Sequence, residues 1–251
     1  MELSVVIPAF NEVTRILPTL ERIFAHMDQH HPDYEVLVVD DGSTDGTAGA
    51  IEMQFGNRPR LRVLSYGGNR GKGYAVRYGA MHAGGDVVLM SDADLSTPIE
   101  EVEKMFPVLQ RGYDMVIGSR ALAQSDIRKR QPLYRESSGK FFNLLVRLLV
   151  LPDFHDTQCG FKLFRRDPLL PVLGHQQIDG FAFDVEMIAL AHGLGLKVAE
   201  VPVVWINSPT SRVRMRAAVR AFADLVLIRK RVRRAWTKPQ HPDATKRDAA
   251  P

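Results

Sequence analysis

The chain has 251 residues, 45% hydrophobic and 25% charged, with one cysteine and a formal net charge of +4. That composition suits one large globular domain and excludes a collagenous, disulfide-stapled or wholly disordered chain. Charge is uneven: residues 212–251 hold 12 Lys and Arg against 3 Asp and Glu, whereas residues 1–211 hold 21 against 26, so a mildly acidic body carries a basic end suited to an anionic surface.

Leu3 to Ile7 is a short apolar run stopped by Pro8, which reads as a buried strand and not as a signal peptide. A helical pattern covers Glu12 to Met27, with Ile16, Leu20, Ile23 and Phe24 on one face. Tyr34 to Val39 is a doubly buried strand that ends in Asp40-Asp41-Gly42-Ser43, and Ser43 or Thr44 is placed to cap a helix running to Phe55. Leu61 to Leu64 predicts a third strand. A glycine-rich loop and a helix from Gly73 to Ala83 follow it. Asp86 to Met90 predicts a fourth strand, ending in Ser91-Asp92-Ala93-Asp94. A helix over 99–110 and a strand from Asp114 to Ile117 come next.

The rhythm then changes. Residues 121–136 are polar and basic and read as a mobile loop; a helix is expected over Ser138 to Val150, followed by the compact polar segment Asp153 to Gly160. Phe161 to Phe164 and Lys197 to Trp205 read as strands flanking a helix near Phe183 to His192. The expected organisation is a body over 1–212, a basic amphipathic helix over 213–236 and a disordered tail over 237–251. No window of 18 apolar residues occurs, so no membrane span is predicted.

Four successive β-α units with short, β-branched apolar runs imply an α/β fold: a mostly parallel sheet with helices on both faces. Ligands in such sheets bind outside the carboxyl ends of the strands. Pro8–Glu12, Asp40–Ser43, the Gly67–Gly73 loop and Asp92–Asp94 all fall at those ends.

Asp92 and Asp94, two apart in extended backbone, face the same side and can share one hard cation such as Mg²⁺ or Mn²⁺. The same residues also suit a turn before a helix, with Ser96 or Thr97 and Glu100 as a capping box. Asp41 can accept hydrogen bonds from a ribose or base, or simply serve an Asp-Gly turn. The loop Gly67-Gly68-Asn69-Arg70-Gly71-Lys72-Gly73 has the glycines and cations of a phosphate cradle. It is not a Walker A loop, because Gly73 follows Lys72, and no G-x-G-x-x-G follows the first strand, which argues against hydride transfer.

Together, Val6-Ile7-Pro8-Ala9-Phe10-Asn11-Glu12, Val39-Asp40-Asp41-Gly42-Ser43, Asn69-Arg70-Gly71-Lys72-Gly73 and Ser91-Asp92-Ala93-Asp94 resemble the GT-A glycosyltransferases of family 2. Gly118-Ser119-Arg120, Asp156-Thr157-Gln158-Cys159-Gly160-Phe161-Lys162, Phe181-Ala182-Phe183-Asp184 and Ser211-Arg212-Val213 look like the dolichyl-phosphate β-glucosyltransferase and polyprenyl-phosphate sugar transferase branch. The resemblance implies that Pro8, Ala9, Glu12 and Asp41 hold the uracil and ribose of a UDP-sugar, with Lys72 over the nucleotide. It implies that Asp92 and Asp94 bind Mg²⁺ or Mn²⁺ at the diphosphate. Arg120 and Arg135 are implied to hold the phosphate of a polyprenyl or dolichyl phosphate acceptor, Arg212 with Arg214 to close on the diphosphate or that acceptor phosphate, and Asp156 and Asp184 to be active-site carboxylates beside the sugar.

A phosphate nucleophile is largely ionised at neutral pH, its second pKa being about 6, so Asp156 can orient a substrate without acting as a base. The helix over 213–236 gathers Ala218, Ala221, Phe222, Leu225, Val226, Ile228, Val232 and Trp236 on one broad arc, with Arg216, Arg220, Lys230, Arg231 and Arg234 roughly opposite, while Arg229 and Arg233 interrupt the apolar arc. That is the pattern of an interfacial helix, and it predicts peripheral attachment at the cytoplasmic membrane face; packing on the body is the alternative. The Ser138–Val150 helix is a second candidate for lipid contact. Two competing readings are a transferase with a soluble acceptor and a nucleic-acid binder. The second is disfavoured because Phe222 and Trp236 are the only aromatic residues in the basic segment.

Overall fold

The structure, a computed structural model, describes residues 2–129, 133–208 and 215–236, with the side chains of 133–135, 215–219 and 233–236 set aside. The first half alternates as expected: β1 (Leu3–Ala9), α1 (Val13–His30), β2 (Tyr34–Asp40), α2 (Thr47–Phe55), β3 (Leu61–Ser65), α3 (Lys72–His82), β4 (Val87–Met90), a 3₁₀ turn at Ile99–Glu101, α4 (Val102–Gln110) and β5 (Met115–Ser119). The second half adds β6 (Asp126–Lys129), α5 (Leu133–Leu149), β7 (Lys162–Arg165), α6 (Arg166–His175), α7 (Phe183–Gly193), β8 (Val198–Pro202), β9 (Val204–Ile206) and α8 (Met215–Trp236).

Seven strands form one sheet in the order β3-β2-β1-β4-β7-β5-β8. All neighbours run parallel except β7, which lies antiparallel between β4 and β5. Alternate residues of the central strands enter different cores, as a two-residue side-chain period requires. Val5, Ile7, Val36 and Val38 pack with residues of α1, α2 and α4. Val6, Leu37 and Val39 pack with those of α3, α5, α6, α7 and α8 on the other face. Strands buried on both sides therefore read as continuous apolar runs.

Four features depart from the sequence reading. The basic stretch 121–136 contains β6, which pairs in parallel with β9 in a small second sheet. The strand expected over Lys197–Trp205 is two strands, one in each sheet, separated at Val203. Helix α5 begins at Leu133, five residues before Ser138. Helix α6 falls in a stretch to which no element was assigned; Pro168 lies in the first helical turn, where its missing N–H has no partner to lose. The expected tail over 237–251 lies outside the described residues, and no described helix is long and apolar enough to cross a membrane.

The topology brings the site together. The carboxyl ends of β1, β2, β4 and β5 share one edge, where the Asp41 amide donates to Ala9 and the Ser91 amide to Val6. Because β7 is antiparallel, its first residue, Lys162, pairs with both Met90 and Ile117 at that same edge. The Asp156–Gly160 segment therefore arrives beside Asp92 and Arg120.

Candidate active site

The Pro8–Glu12 and Asp40–Thr47 segments brace each other. Asn11, at φ +58°, donates its amide to the Ser43 hydroxyl and accepts from the Thr44 amide. Thr47 Oγ1 and Asp45 Oδ2 accept from the amides of Glu12 and Val13, so both satisfy N-terminal donors of α1. Neither Ser43 nor Thr44 caps α2, whose N-cap position is Gly46.

Asp41 is 3% exposed and accepts four hydrogen bonds: from the Tyr66 hydroxyl at 2.9 Å, Asn69 Nδ2 at 2.9 Å, and the amides of Arg70 at 2.7 Å and Gly71 at 2.9 Å. Its carboxylate, expected at the uracil or ribose, thus braces the glycine-rich loop in this structure. The acceptor sites of a carboxylate number about four, and here all serve the glycine-rich loop. Burial and the Asp41 charge push the Tyr66 hydroxyl up, so it stays a donor. Gly42 (φ +74°) packs so closely on Gly68 and Asn69 that a Cβ would lie 2.7 Å from backbone. Asp41 thus fixes the loop, and the loop delivers Lys72 at the start of α3.

Lys72 Nζ lies 2.6 Å from Asp92 Oδ1. Burial disfavours the ammonium, but Asp92 and Asp184 outweigh it and hold Lys72 charged. Asp94 does double duty. Its Oδ1 accepts from the Ser96 amide at 3.0 Å, as the turn reading required, while Oδ2 faces Arg15 Nη1 at 3.7 Å. Leu95 sits at φ +44° in this turn, a conformation that costs a non-glycine residue on the order of 1 kcal/mol. The capping box does not form, since Glu100 pairs with Arg22. Arg15 itself is forked onto Glu12 and reaches Ser208 Oγ at 3.3 Å, so Glu12 enters the site through Arg15.

Both Asp92 and Asp94 line one cleft of about 330 Å³. Gly160 packs against the Asp92 carboxylate so tightly that any Cβ there would overlap it. Two hard oxygen donors open to a cleft suit a divalent cation that completes its shell with phosphate and water, so these residues fit the implied Mg²⁺ or Mn²⁺.

Arg120 follows β5 into the same cleft. Asp156 is buried beneath it: Oδ2 accepts from Arg120 Nε at 2.7 Å and its amide at 2.9 Å, and Oδ1 from Nη2 at 2.9 Å and from the Gln158 amide at 3.1 Å. Burial opposes ionisation of Asp156, but the guanidinium and these donors outweigh it and hold the carboxyl below the usual range. Glu200 accepts from the amides of His155 and Asp156, fixing the turn. The Trp205 ring lies 5.6 Å from Arg120 Cζ. Asp156, expected as a carboxylate beside the sugar, is ion-paired with Arg120. Its position makes it the orienter of Arg120. Asp184, on α7, reaches the cleft floor but is ion-paired with Lys162, which also donates to the Cys159 carbonyl. Burial pushes Asp184 up despite Lys162.

Pro8 lines a small pocket beside the cleft that shares Lys72, Asp92, Gly160 and Asp184 with it, while the Ala9 side chain is buried in the core. Arg212, Arg214 and the Arg135 side chain lie outside what is described. Five residues of the site were not singled out from the sequence: Arg15, Lys162, Trp205, Asn207 and Ser208. The Glu12/Arg15 spacing of three on a helix was a usable signal; the others are joined to the site only by the fold.

Part of the cleft lining is apolar: Phe142 of α5, Phe181, and Ala221 and Phe222 of α8. Phe142 and Phe222 meet edge to face at 5.2 Å. Helix α8 packs on the body through Ala221, Leu225, Ile228 and Val232, which are at most 5% exposed. The broad apolar arc of this helix is thus mostly core. Left outside are Val226 and Leu227, with Phe141, Leu144 and Leu148 on α5.

Residues 4–171 match the family model described as glycosyl transferase family 2. The chain is 35% identical over 234 residues to the dolichyl-phosphate beta-glucosyltransferase ALG5C of Trichomonas vaginalis, covering 89% of this chain and 69% of that protein. It is 32% identical to the Saccharomyces cerevisiae dolichyl-phosphate beta-glucosyltransferase, covering 90% and 74%. Among solved structures, glucosyl-3-phosphoglycerate synthase from Mycobacterium tuberculosis, in complex with Mn²⁺ and UDP-glucose, superposes with a TM-score of 0.67 at 20% identity, covering 97% of this chain and 80% of that one. The mannosyltransferase PcManGT from Pyrobaculum calidifontis, in complex with GDP-mannose and Mn²⁺, gives 0.64 at 22% identity, covering 96% and 66%.

Proposed function

Because the chain belongs to glycosyl transferase family 2, we propose that it moves glucose from UDP-glucose to a polyprenyl or dolichyl phosphate, with inversion, at the cytoplasmic face of a membrane. One observation carries this reading: a single cleft is lined by Lys72, Asp92 and Asp94, by Arg120, and by the apolar side chains of Phe142, Ala221 and Phe222. A sugar diphosphate, a phosphate and a hydrocarbon chain would each find complementary chemistry there.

In the reaction an acceptor phosphate oxygen forms a bond to the anomeric carbon as the bond to the UDP oxygen breaks, and the electron pair leaves with the diphosphate. Lys72 sits ready to neutralise that charge. Asp92 and Asp94 would hold Mg²⁺ or Mn²⁺, which when bound supplies Lewis-acid stabilisation of the leaving diphosphate. Arg120 has five N–H groups, two of them taken by Asp156, leaving three for the acceptor phosphate. No proton must be removed from a nucleophile already ionised near neutral pH, its second pKa being about 6. The burial of Asp156 under Arg120 is consistent with a mechanism that uses no general base.

A soluble phosphorylated acceptor would use the same polar groups. The lipid is favoured by Phe141, Leu144, Leu148, Val226 and Leu227, apolar side chains left exposed on the two helices that wall the cleft. Arg220, Lys230 and Arg231, exposed on α8, would add attraction to anionic lipid. The test is co-sedimentation with anionic vesicles. Binding that falls as salt is raised supports the lipid reading, and a protein that stays in the supernatant at low salt favours the soluble acceptor.

A further inference from the structure

Three polar side chains converge on the α1–α4 side of the sheet, remote from the cleft. His26 Nε2 and His31 Nε2 each lie 2.9 Å from the same oxygen of Glu103. All three ligand-type atoms fall within 4.8 Å of one another. Among the described residues this is the one group of three or more His, Cys, Asp or Glu side chains so arranged. Helix α1 rises about 1.5 Å per residue over its 18 residues, so this cluster, from His26 to the residue after the helix, sits about 20–27 Å along the helix from the end that carries the Pro8–Glu12 loop.

The rings are held before any ligand arrives. His26 stacks on His30 at 4.3 Å, and His30 Nδ1 bonds the His26 carbonyl at 2.9 Å. His31 stacks on Phe106 of α4 at 5.1 Å. Both histidines are nine-tenths buried, whereas the Glu103 side chain is 45% exposed, which gives an ion a way in from solvent.

We propose that His26, His31 and Glu103 form a second metal site, selective for Zn²⁺ or a similar borderline transition ion and distinct from the cleft. Two imidazole nitrogens and one carboxylate oxygen are a zinc donor set, with a fourth position for water. Tetrahedral bonds of about 2.0–2.1 Å space the ligands by about 3.3 Å, so each imidazole nitrogen would move about 0.4 Å away from the Glu103 oxygen, with all three atoms already within 4.8 Å of one another. Mg²⁺ and Mn²⁺ prefer the all-oxygen Asp92/Asp94 pair. The ion would staple the C-terminal end of α1 to the first turns of α4, the helix that follows the Asp92–Asp94 turn.

The experiment uses the full chain carrying Asp92→Asn and Asp94→Asn, which removes the cleft carboxylates, titrated with Zn²⁺ by calorimetry and with Co²⁺ by visible absorption. The expected result is one equivalent of Zn²⁺ and an intense tetrahedral Co²⁺ spectrum. Adding His26→Asn or Glu103→Gln should weaken binding by at least roughly 10- to 100-fold and remove the Co²⁺ spectrum. Glu103→Gln retains an oxygen for both imidazole donors, so it serves if the histidine variant does not fold. No Zn²⁺ bound by the Asp92→Asn/Asp94→Asn chain, or binding unchanged by Glu103→Gln, overturns the site.

Discussion

Arg120 and Asp156 form a unit in which one charge aims the other. Arg120→Lys loses the planar fork and should raise the acceptor KM about 10- to 100-fold, the equivalent of about 1.5–3 kcal/mol, with UDP-glucose affinity unchanged by calorimetry. Asp156→Asn should do the same by releasing Arg120, and should also change the acid stability. The Asp156 carboxyl is lowered in the folded protein relative to an unfolded value of about 3.9. Its contribution is therefore complete above that value and lost as pH falls through the lower folded one; acid denaturation curves of the variant should lack this component. Gly160→Ala should cut transfer more than tenfold with little change in Tm, because the new Cβ displaces only the movable Asp92 carboxylate. The sequence made Arg120, Lys72 and the aspartate pair legible as residue types in a motif. It did not show that Asp156 lies 36 residues away yet beneath Arg120, or that Asp41 spends its acceptors on a loop, since hydrogen-bond partners are set by tertiary contact.

At the scale of elements, α3 lies on the sheet through glycine. A Cβ on Gly79 would lie 2.5 Å from Val6 Cγ1 and 2.6 Å from Val39 Cγ2. Helix propensity alone gives Gly→Ala a gain of up to about 1 kcal/mol, whereas overpacking a filled core costs about 1–3 kcal/mol. Gly79→Ala is thus expected to lower stability by about 1–2 kcal/mol, read as a drop of a few degrees in Tm. Strands β1 to β5 and their helices were legible because each is a single apolar run with one period. Strand β7 could be predicted as a strand, but its antiparallel place between β4 and β5 is fixed by partners distant in sequence. Strand β6 was hidden in a basic segment because its pairing with β9 needs no apolar run.

The whole molecule presents a cleft with both charged and apolar lining, beside helices with exposed apolar side chains. Phe141 and Leu148 are 56% and 69% exposed, so Phe141→Ser with Leu148→Ser should leave Tm nearly unchanged. Each change removes about 1–2 kcal/mol of apolar contact with a bilayer, and vesicle partitioning should fall roughly tenfold or more. Unchanged partitioning would show that this face does not meet lipid. The basic arc of α8 was readable from its period. Which apolar residues of that arc are core was not, because helical period alone does not say what packs against a face.

Glucosyl transfer to a lipid phosphate is tested by incubating the purified protein with UDP-glucose, a polyprenyl phosphate in detergent, and Mg²⁺ or Mn²⁺. The expected product is an acid-labile glucosyl lipid extractable into chloroform, abolished by EDTA and by Asp94→Ala. An absence of lipid product despite metal-dependent UDP-glucose binding would contradict the proposed acceptor, and a failure to bind UDP-glucose would contradict the proposed donor.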